Sequence, residues 1–232
     1  MSLSLPPLFT SVAADGPPRE HAVALARAGC DGGTVVHGSA AGTLEAAIVF
    51  APETPLAHAA QILPVCAVGF QNALGALAPP EVAVHLGWDG AIRVNGGLCG
   101  ALGLVAPAAD PAAIPDWLIV TLSLDMLPAS DDPGSDPDRT ALYAEGCGDM
   151  DPDALVEAWV RHTLVWLNRW SDGDLRALHA EWRGLAHGLN TEITQGHEAG
   201  TFLGVDEDFA MLLKTGAATR AIPLATLVDV AD

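Results

Sequence analysis

Residues 88–102 read Trp88-Asp89-Gly90-Ala91-Ile92-Arg93-Val94-Asn95-Gly96-Gly97-Leu98-Cys99-Gly100-Ala101-Leu102. Ala91 to Val94 and Leu98 to Val105 have the aliphatic composition of strands. Asn95-Gly96-Gly97 between them is a hairpin turn, since Asn and Gly tolerate the positive φ that tight turns require. Val82 to Leu86 on one side and Trp117 to Leu124 on the other read as further strands, as do Thr34 to His37 and Leu44 to Phe50 nearer the start. Strands this close in sequence pair antiparallel.

Helices fill the intervals. Pro17-Pro18-Arg19-Glu20 opens a short helix to about Ala28, because Pro fits a first turn and Gly29 stops it. From Pro55 to Leu77, apolar residues recur every three to four positions (Leu56, Ala60, Leu63, Ala67, Phe70, Leu74), which predicts a buried helix across Pro64. Asp153 to Trp170 and Asp174 to Ala186 carry wide apolar faces in which the tryptophans recur at helical spacing, as packing residues do. Ser130 to Arg139 is an acidic loop of turn formers. Past Thr191 the texture changes to short strands, Gly200 to Val205, Ala210 to Lys214 and Thr219 to Pro223, with Asp206-Glu207-Asp208 as a solvated turn. The expected fold is α+β, a mixed, mainly antiparallel sheet with packed helices over 1–189, followed by a small β-barrel over 190–232.

Composition narrows the partners. A net charge of −19, with Lys214 the single lysine beside nine arginines, opposes nucleic acid and anionic membranes. No basic leader opens the chain and no window of about 20 residues reads as a bilayer span, so the expected location is cytoplasmic, with Cys30, Cys66, Cys99 and Cys147 reduced. His162, His179, His187 and His197 have no metal-ligand spacing, and no metal is expected. Gly38-Ser39 lacks the context of a nucleophile elbow.

Residues 88–102 resemble the stretch that biotin protein ligases carry as W-P-N-D-I-L-V-N-G-K-K-V-A-G-I-L, with Trp88, Ile92, Val94, Asn95, Gly96, Gly100 and Leu102 in place. Gly33-Thr34-Val35-Val36 is similar to the strand entering the nucleotide loop of the biotin/lipoate protein ligase family, and Gly42-Thr43-Leu44 with Ile48-Val49-Phe50 to the strand leaving it. Residues 204–213 are similar to the SH3-like domain that ends many such ligases. The resemblance implies a sheet of the class II synthetase and biotin protein ligase kind. Its ligand would be a biotin-like or lipoyl-like acid, held around Gly33, Thr34, His37, Trp88, Asp89, Arg93, Asn95, Gly96, Gly97 and Gly100. ATP is the implied cosubstrate, and a biotinyl or lipoyl carrier protein the implied partner.

The cationic positions differ. Where the family carries G-R-G-R-x-G-R, residues 37–42 are His37-Gly-Ser-Ala-Ala-Gly42, without arginine. The paired lysines of N-G-K-K are reduced to Gly97, and the G-I-G-x-N ending is Thr121-Leu-Ser-Leu-Asp125. Loss of a cationic clamp costs on the order of 10³-fold in phosphoryl or adenylyl chemistry. The expectation is a divergent ligase-like protein that binds an acyl group and lacks the machinery for ATP-dependent ligation. Two alternatives stand beside it: a non-catalytic recogniser of a biotinyl or lipoyl carrier, and an acyltransferase using Cys99 with His37 or His85. Arg93 points either into the pocket or to solvent. A small buried core thiol is the competing reading of Cys99.

Overall fold

The computed structural model describes residues 3–40, 42–129 and 136–231, without the side chains of 39 and 40. The expected acidic loop therefore lies mostly outside the described residues. Two core strands, β2 (Thr34–Ala40) and β3 (Thr43–Phe50), pair antiparallel from Val35–Ile48 through to Ala40–Thr43, so the segment expected as a nucleotide loop is largely hairpin. β1 (Thr10–Ala13), which composition did not signal, adds to β2 in parallel. The sheet continues through β7 (Leu118–Asp125), β6 (Gly97–Ala106), β5 (Ala91–Val94) and β4 (Val84–Leu86) in the order β1-β2-β3-β7-β6-β5-β4. All these later pairings are antiparallel.

Between β5 and β6, Asn95 (φ 50°) and Gly96 (φ 95°) both sit in the left-handed region, as a type I′ turn requires. The expected hairpin is therefore present with its register, Val94 opposite Gly97.

One face of the sheet carries the large core. α3 (Ile62–Leu77) is buried nearly all round at its start and packs against α4 (Pro152–Ser171), with α5 (Leu175–Leu185) alongside. α2 (Leu56–Ala59) is a separate turn: the single helix expected over residues 55–77 breaks at Ala60-Gln61. Buried Gln61 bonds outward instead, accepting from Trp170 Nε1 (2.9 Å) and donating to Asp208 Oδ1 (3.2 Å). Pro64 then falls in the first turn of α3, where its missing N–H has no helical partner to lose. Leu56–Leu77 has the length and hydropathy of a bilayer span, contrary to the sequence reading, yet 72% of its most apolar window is buried inside the protein. Its longer part, α3, is the core helix of the fold. α4 starts at Asp151, whose carboxylate accepts from the Asp153 N–H, and its tryptophans pack as expected: Trp159 Nε1 donates to the Cys66 carbonyl and Trp166 Nε1 to Asn72.

The opposite face carries α1 (Pro18–Arg27), over a small core of Ala22, Ala26, Val36, Ala47, Val49, Val105, Trp117 and Ile119.

The C-terminal unit is a four-stranded antiparallel sheet, β8 (Glu192–Gln195), β9 (Glu198–Val205), β10 (Met211–Thr215) and β11 (Ala218–Ile222), in the order β11-β10-β9-β8. Its Phe202, Phe209, Met211 and Leu213 continue the main core. After a 3-10 turn, β12 (Val228–Val230) leaves this unit and pairs in parallel with Leu104–Ala106 of β6 in the main sheet. A strand so short and charged carries no signal of its own in the sequence.

Candidate functional site

Alternation along the central strands exposes a row of small side chains. In β7, Leu118 to Val120 are buried on both faces; beyond them Leu122 and Leu124 stay in the core while Ser123 is exposed. Ser123 pairs with Glu45 of β3 and with Ala101 of β6, and Ala101 pairs with Ala91 of β5. Directly paired residues share a face, so Glu45, Ser123, Ala101 and Ala91 form one row across four strands, with Gly38 opposite Glu45 at its β2 end. By the same parity the row shares its face with Ala47, Val49 and Ile119, which pack in the core under α1, and its Gly38 end meets the start of α1, where a Cβ would stand 3.5 Å from Pro18 Cγ. Ser123 and Ala101 are exposed and Glu45 and Ala91 half-buried, so the row is a partly uncovered strip of the sheet, small-sided except at Glu45, and is called the trough below.

One cavity adjoins the β5 end of the row, and another lies beside its middle strands. Ala91, Asp89 and Arg93 line one of about 190 Å³ with His187 and, from β8, Ile193 to Gln195. Asp125, on the same face as Ser123, lines another of about 450 Å³ with Asn95, Gly97, Arg139, Thr140 and Glu145. The second cavity is braced by backbone. Thr140 N–H donates to Leu98 O and Leu98 N–H to Asp138 O, so residues 138–140 run beside β6 where β7 has ended. Arg139 Nη2 holds Asp125 Oδ2 at 2.8 Å, and Glu145 accepts from Asn95 Nδ2 (2.8 Å) and from the Thr140 hydroxyl.

The residues singled out in the sequence fall into several places. Gly33 (φ 91°) lies against the chain entry, where a Cβ would stand 2.0 Å from Leu8 O, and the Thr34 hydroxyl donates to Asp31 O. Both sit at the far end of β2 from the trough. His37 faces the helices, with Nδ1 3.7 Å from Asp153 and Nε2 without a partner among the described residues. Trp88 is buried, and its indole N–H donates to Phe209 O (2.8 Å), joining the main sheet to the C-terminal unit. Asp89 caps its own turn through the Ala91 N–H, and Arg93 donates to Gly96 O (2.9 Å). Asn95 accepts from the Ala83 N–H as well as donating to Glu145. Gly97 and Gly100 allow close approach, to Thr140 and to the β7 backbone respectively. Of the set, Trp88, Asp89, Arg93, Asn95 and Gly97 line the cavities beside the trough. Trp88, which borders the smaller one, is held by Phe209.

Glu45, Ala101, Ser123, Asp125 and Arg139 escaped the sequence reading. The one local signal was Ser123 and Asp125 alternating with Leu122, Leu124 and Met126.

Charge and burial set the chemistry. Between Arg27 and Arg93 the sequence has neither Lys nor Arg. Arg139, beside the second cavity, is matched by Asp125. Cys99 is fully buried, its thiol 3.6 Å from Asp125 O; burial, then the Asp125 and Glu145 carboxylates, push it up to about 12. A protonated thiol is a poor nucleophile. The strand order puts β2 three spacings from β6 and β4 two, about 14 Å and 10 Å. His37 and His85 are therefore out of reach of Cys99. Burial lowers His37, and burial followed by Arg93 and His85 lowers His187. Among the described residues no group of three or more His, Cys, Asp or Glu could hold a metal ion.

Residues 5–184 match the model of the biotin/lipoate A/B protein ligase family, and residues 191–230 match a domain of unknown function. A biotin protein ligase-like protein of unknown function from Silicibacter sp. TM1040 is 53% identical over 98% of this chain and 99% of its own, with TM-score 0.92. Biotin protein ligase from Aquifex aeolicus, solved with biotin and ATP, is 16% identical over 92% of this chain and 95% of its own, with TM-score 0.71. The Leishmania major ligase with biotin gives 12%, 90%, 95% and 0.54 for the same measures. Among curated proteins none matches the chain.

Proposed function

Because the chain belongs to the biotin/lipoate A/B protein ligase family, we propose that it holds a biotin-like or lipoyl-like acyl group on the uncovered row of its sheet and does not activate that group with ATP. One observation carries the reading: the row Glu45–Ser123–Ala101–Ala91 is uncovered at Ser123 and Ala101 and, Glu45 apart, small-sided, while residues 28–92, which include the β2–β3 hairpin beside it, hold no Lys or Arg. Adenylation concentrates negative charge at a phosphorus, and preorganised cations must stabilise it. Arg139 is engaged by a carboxylate and Arg93 by a carbonyl. The solved Aquifex aeolicus complexes with biotin, and with biotin and ATP, support the acyl half of the reading through the shared fold.

In this reading residues 1–189 are the ligase-like part, and the C-terminal sheet is an SH3-like module walling the row at β8. Asp89, Arg93, Asn95 and Gly97 border the ligand; Gly33, Thr34, His37, Trp88, Gly96 and Gly100 shape the frame around it. Cys99 takes no chemical part. Four free thiols suit the cytoplasm.

Thermal denaturation with biotin, lipoate and octanoate, their amides, and ATP, singly and combined, tests the proposal beside a pyrophosphate-release assay. The expected result is a raised Tm with at least one acyl compound, since selective binding to the folded chain adds about 2.7 kcal/mol at 100 times Kd. No shift is expected from ATP alone, and no pyrophosphate. Pyrophosphate release from ATP with any of the acids overturns it.

A further inference from the structure

We infer that the trough takes its acyl group as a neutral N-acyl amide, the form the group has once joined to an amine such as a lysine side chain, in preference to the free carboxylic acid. This rests on the acyl-binding reading above and narrows its ligand. Glu45 stands in the row, and the cavities beside it are lined by the carboxylates Asp89, Asp125 and Glu145 against two guanidiniums, Arg93 and Arg139. Neither cation is spare, since Arg139 is closed on Asp125 and Arg93 on Gly96 O, and among the described residues no Lys or Arg forms an ion pair with Glu45.

A free carboxylate in the trough would add a like charge beside Glu45 and bring no hydrogen-bond donor to it. An amide carries no charge, and its N–H is the donor that the Glu45 carboxylate or the Ser123 hydroxyl accepts. Bonds to a charged acceptor are the stronger kind. The row is also open at its surface, with Ser123 and Ala101 exposed, so the atoms beyond the amide have room to leave toward solvent or a larger body.

Calorimetric titration of the full chain with biotin against biotinamide, and lipoate against lipoamide, tests this. The expected result is an amide at least about tenfold tighter than its acid at low salt. Raising ionic strength from about 0.01 M to about 1 M shortens the screening length from about 30 Å to about 3 Å and should draw the ratio toward one. Glu45→Gln should narrow it at low salt, and the salt series serves if that variant fails to fold. A biotinylated or lipoylated carrier domain binding at least as tightly as the free amide marks a protein-borne ligand; binding confined to the small amides marks a free one; both support the amide class. An acid that binds as tightly as its amide, or a ratio that neither salt nor the substitution moves, overturns the inference and leaves the acyl reading intact. If neither acid nor amide binds, the acyl reading itself has failed.

Discussion

Gly100→Ala should be among the costliest additions of one methyl group to the 88–102 segment. Gly100 faces Leu124 across the β6–β7 ladder, and a Cβ there would stand 2.2 Å from Ser123 O and 2.9 Å from Leu124 Cα. Both obstacles are backbone, so no rotamer change relieves the overlap and the strands must part. Two ladder hydrogen bonds at about 1 kcal/mol each, with overpacking strain of about 1–3 kcal/mol, give about 3–5 kcal/mol. At about 2–4 °C per kcal/mol for a chain of this size, Tm should fall by about 6–20 °C. Gly96→Ala is the control: nothing lies within 4 Å of its Cβ, but φ is +95°, so only the left-handed penalty of about 1–2 kcal/mol applies. Scanning calorimetry on both variants decides the matter. If Gly100→Ala melts as high as Gly96→Ala, the tight β6–β7 approach beneath the trough is wrong. Since Ala101 and Ser123 floor the trough on those two strands, Gly100→Ala should also abolish the ligand-induced rise in Tm.

Ser123→Phe fills the exposed row without touching the core, so unfolding free energy should hold to within about 0.5 kcal/mol while acyl binding disappears; retained binding would place the ligand elsewhere. Trp88→Phe strips the buried Phe209 carbonyl of its donor and should lower unfolding free energy in urea by about 1–3 kcal/mol, with a loss below about 0.5 kcal/mol contradicting the link between the two units. His37 is held below its ordinary value of 6.5, chiefly by burial, so the unfolded chain binds a proton there that the folded chain refuses. Stability should therefore be unpenalised above pH 6.5, fall as pH drops through it and level off below the folded value; His37→Gln should flatten that slope in melts from pH 7.5 to 5, and an unchanged slope would refute the assignment. Alkylation at pH 8 should label Cys30, the half-exposed thiol, while buried Cys66, Cys99 and Cys147 react only after unfolding, and rapid native labelling of Cys99 would contradict its burial.

How much of this was readable in the chain depended on how local each signal was. The Asn95-Gly96 turn and the α4 and α5 helices follow from neighbours within a few residues, and they stand where the sequence puts them. The helix break at Ala60-Gln61 hinges on Trp170 and Asp208, more than a hundred residues away, and no local pattern announces them. The site divides in the same manner. Trp88 looks like part of a ligand motif from its neighbours, yet its indole is committed to Phe209, 121 positions downstream. The row Glu45–Ser123–Ala101–Ala91 exists only once four strands are in register, and register across a sheet is set by pairing that a single strand does not encode.

The return of residues 228–230 to the flank of β6 has a consequence for how the chain is made. During synthesis Leu104 to Ala106 emerge more than a hundred residues before the segment that completes their ladder, and until then they offer a bare, apolar strand edge to other nascent chains. Closing so distant a pair is slow. A stop codon between residues 190 and 228 would thus strand that edge permanently, and such truncated products should collect in inclusion bodies, whereas the same edit in a cassette joined by a simple linker would release an intact first half.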